Sequence, residues 1–149
     1  MPTPTIWGPK LWKVLHCIGY YSARSPEIMK RDVKREFDWL LVNLETIIPC
    51  IECRQHLEEY KKINGYPITI SDISEWMWKF HEALNTRLGK PSVPYRNDIG
   101  KLDPNEKIRK IWNDYVEEIA DNVQIGQVTG ISIQKFQQHF LLWKGFCGF

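Results

Sequence analysis

Residues 47–53 read IIPCIEC, and the chemistry of this cysteine-containing stretch limits the scaffolds that suit the chain. Two of the chain's four cysteines, Cys50 and Cys53, are separated by two residues and follow directly after Pro49. Such a pair forms a redox disulfide, binds a metal or makes a structural crosslink. A thioredoxin-like redox protein would need a βαβ context, and no strand pattern precedes Pro49. The sequence therefore places the cysteine pair on a different scaffold.

That scaffold is predicted to be helical almost throughout. Apolar residues at three- and four-residue spacing predict helices at about 9–23, 26–48, 50–64 and 72–88. Asp72 and Glu75 have the spacing of a capping box for the fourth helix. Gly89 and Pro91 follow the end of that helix, as stop signals commonly do. The predicted fold class is all-α, with four helices forming a bundle.

Further helical signals lie beyond residue 100. Asp103, Pro104 and Glu106 are spaced as an N-cap, a first helical residue and a capping-box partner. An apolar stripe follows, made of Ile108, Ile111, Trp112, Tyr115 and Ile119. A linker at 121–130 and a short last helix at 132–144 complete the pattern. We predict a core of residues 1–100 and a helical extension of residues 101–149.

Composition limits the partners of the chain. The net charge of +2 gives no strong nucleic-acid footprint, so we expect no nucleic-acid partner. No apolar window approaches the roughly 18 residues of a membrane span, so we expect no membrane contact. The first ten residues do not read as a secretory signal. We expect a reducing, cytoplasmic location, where a CxxC pair is more often catalytic or metal-binding than a static crosslink.

The position of the cysteine pair favours redox chemistry. Pro49 places Cys50 at or near a helix N-terminus, where unpaired N–H groups and the helix dipole stabilise a thiolate. A zinc site would need a fourth ligand, and the spacing of Cys50, Cys53, His56 and a distant His81 is unusual for zinc. An inert buried pair also remains open. A helical redox protein needs an electron acceptor, for which bound flavin is the obvious candidate.

Three stretches, taken in order, carry a family resemblance. They are WGPKLWKVLH (7–16), PCIECRQH (49–56) and WMWKFHEALNTRLGKP (76–91). Together they resemble the Erv/ALR family of flavin-dependent sulfhydryl oxidases, over about residues 6–95. The chain departs from the family pattern at Glu82, where Asn is usual, at Leu84, where Val is common, and at Ile48, where an aromatic residue often precedes the Pro-Cys pair.

The resemblance implies a four-helix bundle with a short fifth helix, here followed by the C-terminal extension. It implies an FAD cofactor and usually a homodimer. From the unusual zinc spacing described above, we expect no metal. Aromatic and histidine planes would hold the flavin rings, and cations such as Arg87 would hold the pyrophosphate. The residues expected to bind FAD are Gly8, Lys10, Trp12, His16, His56, Trp78, His81, Asn85, Leu88, Lys90 and Tyr95.

The resemblance also implies an activity. Cys53 would lie against the flavin and Cys50 would exchange with thiol-containing protein substrates, with molecular oxygen reduced to hydrogen peroxide. Minimal members without a second cysteine pair are typical of large DNA viruses, so we hypothesise a place in the host cytoplasm, in virion assembly and in the virion. The helix around Trp112 covers the bundle, packs on a second copy or recruits a substrate. Its apolar stripe motivates the hypothesis that it enlarges a dimer interface.

Two cysteines lie outside the pair. Cys17 is predicted to be a small buried hydrophobic residue inside the first helix. Cys147 suits either a mobile thiol or an unused cysteine in a disordered tail. Two rivals to the oxidase hypothesis remain: a non-enzymatic helical interaction module whose CxxC binds zinc or is structural, and a disulfide carrier without flavin.

Overall fold

The computed structural model describes the backbone of residues 4–120 and 128–149, and the side chains of these ranges from residue 6 onward. In these ranges the chain is helical and contains no strand. The α-helices are α1 (Pro4–Ala23), α2 (Lys30–Val42), α3 (Ile51–Asn64), α4 (Ile73–Arg87), α5 (Ile108–Glu118) and α6 (Gly130–Phe146). Short 3₁₀ helices span Glu27–Met29, Leu44–Ile47 and Ile70–Asp72. The all-α fold class is confirmed, and residues 121–127 of the predicted linker lie outside the described part.

The prediction of one continuous helix over 26–48 is wrong, because the α-helix in this range spans only Lys30–Val42. The range contains a 3₁₀ turn, then α2, and then a second 3₁₀ turn that begins after Asn43. The Asn43 side chain donates to the carbonyl oxygen of Trp39 at 2.9 Å, and the Thr46 hydroxyl donates to the carbonyl oxygen of Asn43 at 2.7 Å. Because these side chains compete with the helical hydrogen-bond ladder, the helix ends before the cysteine segment.

Neither predicted capping box caps an α-helix, although α4 begins directly after Asp72 as predicted. At α4 the box joins Thr69 to Asp72, whose carboxylate accepts from the Thr69 amide at 3.3 Å, and it closes a 3₁₀ turn rather than pairing Asp72 with Glu75. Before α5, Glu106 accepts from the Asp103 amide at 3.0 Å. That contact closes a separate turn, and α5 begins only at Ile108. A capping box therefore marks a turn here without fixing where the α-helix begins.

Helix α1 lies at the centre and packs on α2, α4 and α5. It approaches α4 closely at Gly19, where an added Cβ would lie 3.0 Å from the Cα of Ser74. A larger residue would push the two helices apart. This approach brings the N-terminal half of α1 against the middle of α4, where the sequence predicts the cofactor residues.

The apolar stripe of α5 is buried within the chain. Trp112, Tyr115 and Ile119 are fully buried, and α5 packs along α1. The hypothesis that this stripe enlarges a dimer interface is therefore wrong, because the bundle itself covers the stripe. The sequence left three roles open for this helix: covering the bundle, packing on a second copy or recruiting a substrate. In the structure it covers the bundle.

Helix α6 packs on α2 and is longer than predicted. Thr129 caps it by accepting from the Ser132 amide at 3.0 Å. The buried Trp143 donates its indole N–H to the Ser22 hydroxyl at 2.9 Å, and Phe149 packs edge-on against Tyr21. The C-terminus is therefore packed on the bundle. No helix of the described ranges has the length and apolar character needed to cross a membrane.

Gly100 joins the loop before α5 to the backbone of α1. Its φ angle is +91°, and an added Cβ would overlap the carbonyl group of His16. A side chain at this position is thus disfavoured twice, by the left-handed backbone and by contact with α1.

We expect Gly100→Ala to lower the free energy of unfolding by about 2 kcal/mol or more, since backbone strain alone costs roughly 1–3 kcal/mol. Urea denaturation measures the change. The matched control is Gly145→Ala in α6, where an added Cβ meets no atom within 4 Å. That variant should be as stable as the wild type or about 0.5–1 kcal/mol more stable. Equal stability of the two variants would contradict the predicted contact.

Candidate active site

The cysteine pair caps α3. Cys50 is the N-cap residue, with extended φ and ψ of −149° and 114°, and the Cys53 amide donates to the Cys50 sulfur at 3.2 Å. The two residues form a disulfide, with Cα atoms 5.2 Å apart. Their predicted place at a helix N-terminus is confirmed. Because amide N–H groups and the helix dipole favour negative charge there, the site stabilises a thiolate when the disulfide opens.

The disulfide is partly accessible from solvent. Both cysteines are half-buried and pack against the core, whereas the intervening Ile51 is 64% exposed and Glu52 is exposed. One side of the pair therefore faces the interior and the other can be approached from outside. This is the arrangement needed by a disulfide that exchanges with an external thiol.

Helices α1 and α4 hold an aromatic and imidazole cluster. The rings of Trp12 and His81 are stacked, with centroids 3.9 Å apart and planes at 9°. His16 Nε2 and His81 Nδ1 are 3.0 Å apart and share a hydrogen bond. Phe80 lies beside Trp12, with ring centroids 5.3 Å apart. The structure thus brings together three residues predicted to bind the cofactor.

Both histidines of the cluster are held neutral. Burial, with a smaller contribution from His81, lowers the pKa of His16 to about 4. Burial also lowers the pKa of His81, although the nearby Glu82 acts in the opposite direction. One hydrogen-bonding position remains open, because His16 Nδ1 is buried without a partner among the described residues.

A groove between α3 and α4 continues from this cluster. It has a volume of about 150 Å³, and its lining includes His56, Tyr60, Phe80, Leu84 and Arg87. The Tyr60 and Phe80 rings have centroids 5.1 Å apart, so Phe80 contacts both the groove and Trp12. His56, a predicted site residue, therefore lies in a lining that is continuous with the Trp12 cluster.

The loop after α4 folds back along that helix. Trp78 donates its indole N–H to the Val93 carbonyl oxygen at 2.8 Å and meets Tyr95 edge-on at 5.5 Å. Glu82 accepts from the Ser92 hydroxyl and from the Val93 amide. Both bonds lower the pKa of the Glu82 carboxyl, and the bond from Ser92 makes the larger contribution. The Glu82 departure from the family pattern thus anchors a loop that carries a predicted site residue.

The other predicted site residues are more dispersed. Lys10 is 2.7 Å from Glu118 of α5, and this hydrogen bond raises the pKa of Lys10. Asn85 is buried and donates to Glu82 at 3.4 Å. Leu88 caps the end of α4 and is exposed, as is Lys90. Gly8 lies on α1, where an added Cβ would meet open space.

The sequence analysis did not identify Tyr60 or Phe80, and it noted Glu82 only as a departure from the family pattern. Tyr60 follows His56 by four residues, so both lie on one face of α3, and that spacing was the available signal. Phe80 precedes His81 directly, and a lone Phe reads as ordinary core. The loop-anchoring role of Glu82 depends on residues ten and eleven positions away, which a local pattern does not reveal.

The remaining cysteines are poor nucleophiles. Burial raises the pKa of both Cys17 and Cys147 to about 12. Both are free thiols, and Cys147 packs against the core at the end of α6. The expectations of a mobile thiol or a disordered end at Cys147 are therefore wrong. Among the described residues, no group of three or more His, Cys, Asp or Glu side chains could hold a metal ion.

The pKa of His16 predicts a pH dependence of stability. Its folded value of about 4 lies below the ordinary 6.5, so the unfolded chain binds the proton first as the pH falls. We expect stability to be lost from about pH 6.5 down to about pH 4, by on the order of 3 kcal/mol. Urea denaturation across this range should show a shallower loss for His16→Gln. The same slope in both proteins would contradict the assignment.

Comparison with known proteins places these features in a family. The sequence model of the Erv1/Alr family matches residues 9–112. An FAD-linked sulfhydryl oxidase of African swine fever virus is 30% identical over 92 residues, 60% of this chain and 73% of the viral protein. The FAD-linked sulfhydryl oxidase ERV1 of Oryza sativa is 31% identical over 104 residues, 67% of this chain and 52% of the rice protein.

Protein 347L of invertebrate iridescent virus 6 is 32% identical over 99 residues, 61% of this chain and 86% of its own length. No solved structure matches the chain significantly. The matched range includes the cysteine pair, the Trp12 cluster and the groove between α3 and α4. With a family match over more than half its length, the chain belongs to the Erv1/Alr family.

Proposed function

We propose that the chain is an FAD-linked sulfhydryl oxidase that forms disulfides in protein substrates. The net reaction is 2 R–SH + O₂ → R–S–S–R + H₂O₂. The observation that carries the proposal is the partly exposed Cys50–Cys53 disulfide at the N-terminus of α3, in a chain of the Erv1/Alr family. The African swine fever virus and rice relatives are both described as FAD-linked sulfhydryl oxidases.

The cysteines have different roles in this proposal. A substrate thiolate attacks the Cys50 sulfur, which breaks the Cys50–Cys53 bond and releases Cys53 as a thiolate. A second substrate thiol resolves the mixed disulfide, releasing the oxidised substrate and leaving both cysteines reduced. The Cys53 amide then stabilises negative charge on Cys50, because it already points at that sulfur at 3.2 Å.

The Trp12 cluster suits the flavin ring system. Trp12 and His81 provide flat faces, and His16 offers a buried nitrogen with no partner among the described residues. When bound, FAD takes two electrons from the dithiol and delivers them to oxygen. Neutral imidazoles can bind the rings by stacking and hydrogen bonding without adding a buried charge.

The other proposed cofactor contacts surround this cluster. His56 lies in the aromatic groove, and Asn85 is buried on α4. Lys10 would have to exchange its partner Glu118 for a phosphate oxygen. The remaining proposed contacts are Gly8, Trp78, Leu88, Lys90 and Tyr95. Since all of these precede residue 100, we keep the division into a core of 1–100 and an extension of 101–149.

Family resemblance supports two further proposals. We propose a homodimer, with an interface that does not use the buried α5 stripe. We also propose a cytoplasmic site of action, and the role in virion assembly stays a prediction. Thiol proteins and molecular oxygen are the substrates of the proposed oxidase.

The purified full-length protein should be yellow, with oxidised flavin bands near ~370 and ~450 nm. Heat-released cofactor, identified by chromatography against FAD and FMN standards, tests which flavin is bound. A folded, colourless protein that cannot be loaded with FAD would contradict the oxidase proposal. Two hypotheses would then remain, a zinc-binding module and a flavin-free disulfide carrier, and a zinc assay would distinguish them.

The cysteine roles predict different defects in two variants. Cys53→Ser should prevent reduction of bound flavin by dithiothreitol, because the thiol assigned to the flavin side is lost. Cys50→Ser should stop turnover while flavin stays bound and Cys53 perturbs its spectrum. In each case oxygen consumption should fall by at least about 100-fold. Cys147→Ser is the matched control and should turn over dithiothreitol normally. Wild-type turnover by either active-site variant would contradict the assignment.

A further inference from the structure

We propose that Tyr115 is a positioning residue for the Cys50–Cys53 disulfide, acting through the backbone that precedes Pro49. The proposal depends on the proposed function only in taking this disulfide to be the redox centre. It gives the helical extension a role in the chemistry of the core.

Tyr115 reaches the cysteine segment from α5. Its side chain is fully buried, and its hydroxyl donates to the carbonyl oxygen of Ile47. Burial raises the pKa of Tyr115, so the hydroxyl stays protonated and remains a donor. The bond joins residues 68 positions apart in the sequence, and Ile47 lies three residues before Cys50.

A second side chain holds the next carbonyl group. The guanidinium Nε of Arg54 donates to the carbonyl oxygen of Ile48, and the Arg54 amide donates to the carbonyl oxygen of Cys50 at 3.0 Å. Two successive carbonyl groups are therefore fixed by donors from different helices, Tyr115 from α5 and Arg54 from α3. Together these two side chains form what we call the carbonyl clamp.

Pro49 transmits the effect of the carbonyl clamp. Its ring restricts φ to about −65°, and it has no N–H of its own to bond. With the Ile47 and Ile48 carbonyl groups held, few backbone torsions remain free before Cys50. The clamp thus helps fix Cys50 in its extended N-cap conformation, in which its sulfur accepts the Cys53 amide.

The amide contact matters more in the reduced state. An N–H donor stabilises a thiolate more than a disulfide sulfur, because the thiolate carries the charge. Opening the disulfide takes two electrons and two protons from two reductant thiols, which become a disulfide in turn. A stabilised Cys50 thiolate makes that opening more favourable. Loss of the clamp should therefore make the Cys50–Cys53 disulfide harder to reduce.

The test is the reduction equilibrium of full-length Tyr115→Phe. The protein is equilibrated without oxygen in mixtures of reduced and oxidised dithiothreitol, and alkylation with mass detection gives the reduced fraction of Cys50–Cys53. We expect the equilibrium constant for reduction to fall about three- to tenfold, where tenfold corresponds to about 30 mV. Cys50 in the reduced variant should also be alkylated more slowly at neutral pH.

Tyr21→Phe is the matched control. The Tyr21 hydroxyl accepts from the Leu102 amide at 3.0 Å, so this variant also loses a tyrosine hydroxyl bonded to backbone, away from the clamp. It should keep the wild-type equilibrium constant. A wild-type constant in Tyr115→Phe, or an equal change in both variants, overturns the proposal.

Two further arms complete the experiment. If Tyr115→Phe does not fold, Arg54→Met removes the other clamp donor while keeping its aliphatic stem, and a wild-type equilibrium constant there overturns the proposal.

The equilibrium needs neither flavin nor oxygen. A shifted constant in a protein that binds no flavin would support the clamp and contradict the oxidase. An unchanged equilibrium constant in an active flavoprotein would contradict the clamp and support the oxidase.

Discussion

The close packing of α1 on α4 holds the aromatic and imidazole side chains of the site together. Gly19 lets the two helices approach at Ser74, and this approach sets Trp12 and His16 against His81. A stacked aromatic pair beside a buried imidazole gives a flat, nearly uncharged surface. The other helices pack around this contact, with α5 on another side of α1 and α3 contacting α4 through aromatic rings.

Electrostatics separates reactive thiols from inert ones within one small protein. Cys50 and Cys53 lie at a helix N-terminus, where backbone dipoles favour the thiolate. Cys17 and Cys147 lie where burial opposes ionisation. Because the attacking species in exchange is the thiolate, substrate electrons are directed to one disulfide. Disulfide formation by Cys17 and Cys147 is suppressed, because burial keeps both thiols protonated.

Much of the fold could be predicted because the signals are local. Apolar spacing identified helices that correspond to α1–α6, and Pro49 located the start of the cysteine helix. The same local view placed the start of α5 wrongly at Pro104, because it could not distinguish a capped turn from a capped α-helix. It also assigned the α5 stripe to a dimer partner, since an amphipathic helix does not encode which apolar surface it covers.

The site was predictable in its chemistry and less so in its connections. Trp12, His16 and His81 were identified from residue type and family resemblance, and they lie together. The bond from Tyr115 to the cysteine segment and the anchoring of the 92–93 loop by Glu82 were not identified. Both are pairings between residues far apart in sequence or on different elements, so no short motif records them.

The bond between Trp143 and Ser22 can form only after residue 143 has been synthesised. It joins residues 121 positions apart, so α1 and α2 are synthesised long before the helix that covers them. Until α6 arrives, apolar side chains such as Phe37 and Leu41 lack part of their cover. Nascent or truncated chains that lack α6 therefore expose apolar surface of the kind that favours aggregation and proteolysis.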